Sequence, residues 1–234
     1  MTRPAPLLPD WLVAPGQRES SPHVYPAGDR RVRPIDTAVI HWTASPHKAG
    51  SRLGADARRI RSWLRGERGE TSTHFTVLRD GQVIQGAPLS ARCWHSGGSR
   101  TADGQGFVNM RSIGIDFENV GPLTREAGGY VNAYGGHHTG PVWLSDDGRA
   151  WEPYTAPQMH AFLTIAASLV DAFPVLQDPA AWVGHEHIRL TKQDPGPAMP
   201  WPWLLAVVSG GASPMDVTDW SAVPGVAVPA EGVA

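Results

Sequence analysis

Cysteine is all but missing from this chain. Cys93 is the single one in 234 residues, which excludes an internal disulfide framework and any need for an oxidising compartment. Charge is sparse too. Charged residues make up 18% of the sequence, the formal net charge is -2, and there is no basic run, so the electrostatic footprint of a nucleic-acid binder or of a protein drawn to an anionic membrane is lacking. Long apolar runs are also lacking. Leu7, Leu8, Trp11, Leu12 and Val13 crowd the first residues, but Pro4, Pro6, Pro9 and Asp10 interrupt them before they reach signal-peptide length. The sequence therefore predicts synthesis in the cytoplasm, no stable membrane association and no nucleic-acid partner.

What is present suffices for one ordinary core. A hydrophobic content of 41% over this length predicts a single domain with extensions. Residues 1–33, rich in Pro, Arg and Ser, read as an irregular arm. Residues 209–234, dominated by Gly, Ala, Pro, Val and Ser without period, read as a flexible tail. Between them, 34–208 alternates strand and helix patterns, an α/β domain with one central sheet. Thr37 to Trp42 is a β-branched apolar run ending on His41. Leu53, Ala57, Ile60 and Leu64 recur at helical spacing, with Trp63 at the edge of the stripe. Arg79-Asp80-Gly81 between two β-prone runs signals a hairpin. A further strand spans Ser112 to Glu118. Thr155 is an N-cap for a helix carrying Met159, Phe162, Leu163, Ile165 and Leu169. Residues 121–153, Gly-rich with Tyr130, Tyr134, His137, His138 and Trp143, read as an elaborated loop, irregular structure without direct contact to a ligand in preference to a cleft rim.

The chemistry concentrates in Gly184-His185-Glu186-His187 and Lys192-Gln193-Asp194-Pro195-Gly196-Pro197. Two prolines of fixed φ around a glycine hold Asp194 at a stiff corner, as a metal ligand is held. A catalytic zinc takes three protein ligands and leaves a fourth position open. His185 and Asp194 supply two. His41 supplies the third, against the alternative of a core histidine satisfied by hydrogen bonds. His187 shares a face with His185 if the segment is extended, so it competes as a ligand. Period two places Ile113, Ile115 and Phe117 on one strand face and Asp116 and Glu118 on the other, where either carboxylate suits a general base or simply a solvated face. Lys192 stands on the Asp194 side, suited to stabilising an oxyanion or to the surface. Trp94-His95 offers a stacking plane and a hydrogen-bonding ring, or core packing. Cys93 reads as a packed thiol.

Six ordered landmarks then carry a resemblance: Ala38-Val39-Ile40-His41-Trp42-Thr43-Ala44, Ser72-Thr73-His74-Phe75, Arg79-Asp80-Gly81, Cys93-Trp94-His95-Ser96-Gly97, Ser112-Ile113-Gly114-Ile115-Asp116, and Gly184-His185 with Lys192 to Pro197. Over roughly residues 21–205 the chain resembles the zinc-dependent N-acetylmuramoyl-L-alanine amidases of the type 2 amidase and peptidoglycan-recognition-protein superfamily. The resemblance implies a central mixed sheet flanked by helices and one catalytic zinc on His41, His185 and Asp194. It puts Asp116 at the catalytic glutamate's place, Lys192 at the intermediate-stabilising lysine, and Trp94, His95, His74 and Thr43 along the substrate groove. The implied reaction is hydrolysis by zinc-activated water of the amide between the lactyl group of N-acetylmuramic acid and the stem peptide's L-alanine. The setting would be endolysin-like wall lysis or muropeptide recycling, by a monomer whose partner is peptidoglycan or its fragments. A non-catalytic peptidoglycan-binding module and a zinc peptidase cutting within the stem peptide are the alternatives. Two departures stand out. An aspartate replaces the usual glutamate, which leaves Glu118 to share the role. The His185 to Asp194 spacing is one residue short, which keeps His187 in contention.

Overall fold

The computed structural model describes residues 10–25, 34–44, 55–67, 70–211, 220 and 223–227. Leu53, the arm at 1–9 and 26–33 and the tail at 212–219, 221–222 and 228–234 lie outside the described residues. The first half carries β1 (Val24–Tyr25), β2 (Thr37–Trp42), α1 (Ala55–Leu64), β3 (Phe75–Val77), β4 (Val83–Gln85), β5 (Arg92–Cys93) and β6 (Ser112–Phe117). Next come five short strands, β7 (Pro122–Glu126), β8 (Gly129–Asn132), β9 (His137–His138), β10 (Trp143–Leu144) and β11 (Ala150–Trp151). The chain closes with β12 (Tyr154–Thr155), α2 (Ala156–Ala172), β13 (Trp182–Gly184), α3 (His185–Ile188), α4 (Trp201–Val208) and β14 (Val226–Ala227).

The central sheet runs β13-β2-β6-β3-β4. Its first four strands are parallel, and β4 returns antiparallel on β3, so the expected mixed sheet is present. The return is the predicted hairpin. Gly81 takes φ 83°, which a residue with a Cβ resists, and the Asp80 carboxylate accepts from the Gln82 amide at 2.9 Å. Strands β2 and β6 sit at the centre and are buried almost throughout. Ala38, Ile40, Ile113, Ile115 and Phe117 turn to the face covered by α2 and α4. There Phe117 meets Phe162 edge to face, centroids 4.9 Å apart, and each such ring contributes roughly 1.5–3 kcal/mol on burial. Helix α2 starts where the sequence places it. The Thr155 hydroxyl accepts from the Gln158 backbone amide while the Gln158 side-chain Oε1 accepts from the Thr155 backbone amide, a capping box worth about 1 kcal/mol. On α1, Ile60 and Leu64 are buried against Leu78 and Ile84.

Two expectations are corrected, and one conformation left open by the sequence is seen. Residues 121–153 form a second antiparallel sheet, β10-β11-β7-β8-β9, rather than a loop. Strands of two to five residues are too short for a period-two signal, and the glycines that suggested a loop are the turns, as at Gly148 (φ 78°) between β10 and β11. After β13 the chain coils into α3 rather than staying extended. Finally, the described part of the tail is attached. Trp220 and Val223 are buried in the main core, and β14 pairs parallel with β12, an open edge that tail composition cannot announce. Among the described residues no helix is long and apolar enough to cross a membrane.

Candidate metal centre and cleft

Parallel register brings the chemistry to one edge of the sheet. His41 on β2 lies opposite Asp116 on β6, and Ile40 lies opposite Gly184, the last residue of β13. With Ile40 and Ile115 turned into the core, alternation turns His41 and Asp116 to the other face. The site thus sits at the carboxyl ends of parallel strands, where open α/β sheets place their ligands. His185 follows directly as the first residue of α3. Gly184 is required there because a Cβ would stand 2.6 Å from the Pro195 ring, so the absent side chain admits the proline corner.

That corner is tied down from three sides. The Tyr154 hydroxyl donates to the Pro195 carbonyl at 2.8 Å, and the Glu186 amide donates to the Asp194 carbonyl at 2.9 Å. Gly196 (φ 75°) lies between Trp42 and Trp151, whose rings would each stand 2.9 Å from a Cβ. The Asp194–Pro195 peptide is cis. Trp151 comes from the second sheet, which therefore buttresses the corner. As a result Asp194 Oδ2 stands 2.9 Å from His41 Nδ1 and 3.1 Å from His185 Nδ1, and the two ring nitrogens are 3.1 Å apart. All three residues are buried.

Three lone-pair donors facing one point need a cation or a shared proton between them. In a tetrahedral zinc site with bonds of about 2.0–2.1 Å the ligand atoms are about 3.3 Å apart, close to the separations here, and two imidazoles with a carboxylate are a donor set zinc accepts. The residues fit the metal. His187 does not join them: its Nδ1 accepts from the Gly184 amide at 2.9 Å and its ring packs on Trp201. The turn of α3 has rotated it away from His185.

Burial sets the electrostatics. Burial lowers the pKa of His41, against the hydrogen bond and charge of Asp194. Burial would raise Asp194, but the hydrogen bonds of His185 and His41 outweigh it and hold the carboxyl well below the usual range. Burial pushes Asp116 up to about 7, with Thr73 opposing and the Asp194 charge adding to the rise. His95, packed beside His41, is held well below the ordinary imidazole value by burial and by the neighbouring histidines.

A cleft of about 220 Å³ opens over these groups. Asp116, Lys192, His95 and Thr43 line it together with His41, His185 and Asp194. Glu118, His74 and Trp94 are not among its lining. Strand β6 ends at Phe117, so alternation does not carry Glu118 to the cleft, and its carboxylate accepts from the Arg79 amide at 3.0 Å. His74 is buried, its Nδ1 accepting from the Gly114 amide at 3.0 Å and its Nε2 lying 3.1 Å from the Ala91 carbonyl. Trp94 is 40% exposed. The sequence reading had not proposed the remaining lining, Trp42, Trp63, Thr71 and Thr73. Trp63, at the edge of the helical stripe, was the one visible signal, and its indole donates to the Thr71 hydroxyl at 3.2 Å.

Fold and donor set together define an α/β protein with a candidate single-metal site at the carboxyl edge of its sheet. Comparison with known sequences narrows this. The sequence model of the N-acetylmuramoyl-L-alanine amidase family matches residues 31–197, and the chain belongs to that family. The 1,6-anhydro-N-acetylmuramyl-L-alanine amidase AmpD of Salmonella typhimurium (strain LT2) is 28% identical over 139 residues, covering 59% of this chain and 57% of the relative. The chain thus spans less than two thirds of that relative's length. The amidase XlyB of Bacillus subtilis is 35% identical over 78 residues, 33% of this chain and 20% of that protein. Among solved structures, an AmpD crystal structure superposes with a TM-score of 0.59 at 23% identity, covering 86% of this chain and 98% of that one, a likeness of fold. The Escherichia coli amidase AmiD, in complex with anhydro-N-acetylmuramic acid-L-Ala-D-gamma-Glu-L-Lys, gives 0.54 at 25% identity over 78% of this chain and 58% of that one.

Proposed function

We propose that the protein is a zinc-dependent N-acetylmuramoyl-L-alanine amidase that hydrolyses the amide between the lactyl group of N-acetylmuramic acid and the L-alanine of the stem peptide. The observation that carries this reading is the convergence of His41, His185 and Asp194 beside Asp116 in a chain of this family. His41, His185 and Asp194 would hold the zinc, which when bound would supply the Lewis acidity to activate water and polarise the carbonyl. Asp116 is the general base: it takes the proton of the attacking water and delivers it to the leaving nitrogen of L-alanine. Its pKa of about 7 without metal leaves it able to hold that proton, and a bound dication draws the value back down. Lys192 at the cleft wall places an ammonium beside the carbonyl oxygen as it gains negative charge. The family position of a glutamate is filled here by the shorter aspartate. Glu118 lies outside the cleft lining, which favours Asp116 acting alone.

The cleft, about 220 Å³, is small beside ordinary ligand pockets of roughly 300–1,000 Å³. It holds the scissile amide and its nearest neighbours while the rest of the substrate lies along the open surface. Soluble anhydro-muropeptide is the favoured substrate, because the AmpD relatives are named for 1,6-anhydro-N-acetylmuramyl-L-alanine and AmiD was solved with such a fragment. XlyB is named for the N-acetylmuramoyl-L-alanine bond without the anhydro sugar, and intact wall, which holds that bond, is the second substrate to try. Incubating zinc-loaded protein with each separates the readings. Faster stem-peptide release from the soluble fragment supports recycling. Release from sacculi alone overturns that assignment in favour of wall lysis, and binding without release from either overturns the amidase in favour of a recognition module.

A further inference from the structure

Resting on the metal reading above, we infer that His95 is a positioning residue for the metal centre: through a relay from the Val108 carbonyl it fixes His41 in the tautomer whose Nδ1 is bare and aimed at the metal. The relay can be followed atom by atom. The Val108 carbonyl only accepts, so the Ser112 hydroxyl, 2.6 Å away, spends its proton there. Ser112 Oγ must then accept from His95 Nε2 at 3.1 Å. With Nε2 carrying the proton, the Nδ1 of a neutral His95 is bare and accepts from His41 Nε2 at 3.0 Å. A neutral His41 protonated at Nε2 has its lone pair on Nδ1, the atom that faces His185 and Asp194. Each link follows from the donor and acceptor inventory of the groups, and second-shell partners of this kind set the orientation and basicity of metal-bound imidazoles.

Two further observations bear on the same point. Gly114, in the middle of a central strand where glycine weakens the sheet, stands beneath the imidazole, and a Cβ there would lie 2.7 Å from the His95 ring. The glycine makes room for this ring. Secondly, the two metal-facing histidines are not supported alike. Among the described residues His185 Nε2 is buried without a hydrogen-bond partner, so there the orientation supplied through a second ring nitrogen falls on His41. The relay also revises what His95 does at the cleft. With Nδ1 accepting and Nε2 donating, neither nitrogen is left for substrate, and the side chain meets substrate only through ring carbons.

The test is the zinc affinity of full-length variants, measured by competition with a chromophoric chelator at fixed pH. His95→Asn keeps an acceptor at the place of Nδ1, whereas His95→Gln keeps only the group at Nε2 and His95→Phe keeps neither. The expected result is affinity within a few-fold of wild type for His95→Asn and about 10- to 100-fold weaker for His95→Gln and His95→Phe, the range found for lost second-shell partners. Equal affinity in all three, or equal loss in all three, overturns the inference. Nitrogen-15 NMR of the wild type keeps it testable if the variants misfold: His95 protonated at Nε2 and bare at Nδ1 supports the relay, and the reverse tautomer overturns it. A wild type that binds no zinc sinks the metal reading itself, whereas a wild type that binds zinc no better than His95→Phe sinks this inference alone.

Discussion

Replacing Asp116 by asparagine in the zinc-free protein tests the electrostatics of the site through stability. Burial raises the folded-state pKa of this carboxyl from 3.8 to about 7, a gap of about three. Below about pH 4 the group is protonated in both folded and unfolded chains and costs nothing extra. As pH rises the unfolded chain releases its proton first, so the wild type loses stability. Above about pH 7 both states are ionised and the penalty levels off at roughly 4 kcal/mol, from about 1.36 kcal/mol for each pKa step. Asparagine does not titrate, and any fixed packing cost of the amide is independent of pH. The variant should therefore gain on the wild type by about 4 kcal/mol between about pH 4 and pH 8. That corresponds to roughly 8–16 °C in Tm for a chain of this size. Chelator-treated samples melted across that range, variant beside wild type, give the number. A gap that stays flat with pH, or that narrows as pH rises, would refute the reasoning. Zinc should flatten the slope, because a dication beside the carboxyl stabilises its ionised form.

Kinetics should separate the two acidic residues of the strand end: Asp116→Asn is expected to lower kcat by about 10²–10⁴-fold, while Glu118→Gln, whose carboxylate accepts from the Arg79 amide outside the cleft lining, should shift Tm more than kcat. Equal kcat losses in steady-state assays would contradict the assignment. Lys192→Ala should cost about 10²–10³-fold in kcat with a smaller change in KM, as for loss of an oxyanion donor; a change confined to KM would assign the lysine to substrate binding. Gly196→Ala forces a Cβ toward Trp42 and Trp151 at a φ of 75°, and should destabilise by about 2–4 kcal/mol in denaturant melts while weakening zinc binding through Asp194. A variant as stable as wild type would show that the corner is looser than the contacts indicate.

How much of this was legible beforehand depended on the length over which a signal could accumulate. The six residues of β2, the hairpin at Gly81 and the seventeen-residue α2 with its Thr155 cap each offered a period, a turn residue or a cap, and each formed where expected. The second sheet did not show because its strands are two to five residues long. Its contribution, Trp151 against Gly196, joins residues far apart in sequence. In the site, the proline corner alone marks Asp194 as a rigidly held carboxylate. Which of His185 and His187 stands beside His41 and Asp194 turned on whether one segment was extended or helical, and the helical turn of α3 brings His185 there. Glu118 looked equivalent to Asp116 by period two, an argument that ends where β6 ends. Trp63, Thr71 and Thr73 reach the cleft only through packing of α1 and the segment after it.

The most direct measurement is mass spectrometry of the products formed from a soluble anhydro-muropeptide in heavy-oxygen water, by zinc-loaded, chelated and zinc-restored protein. The account predicts free stem peptide beginning at L-alanine and heavy oxygen in the new lactyl carboxylate, lost on chelation and restored by zinc. Cleavage inside the peptide, label in the peptide instead of the sugar acid, or full activity in the chelated protein would contradict it.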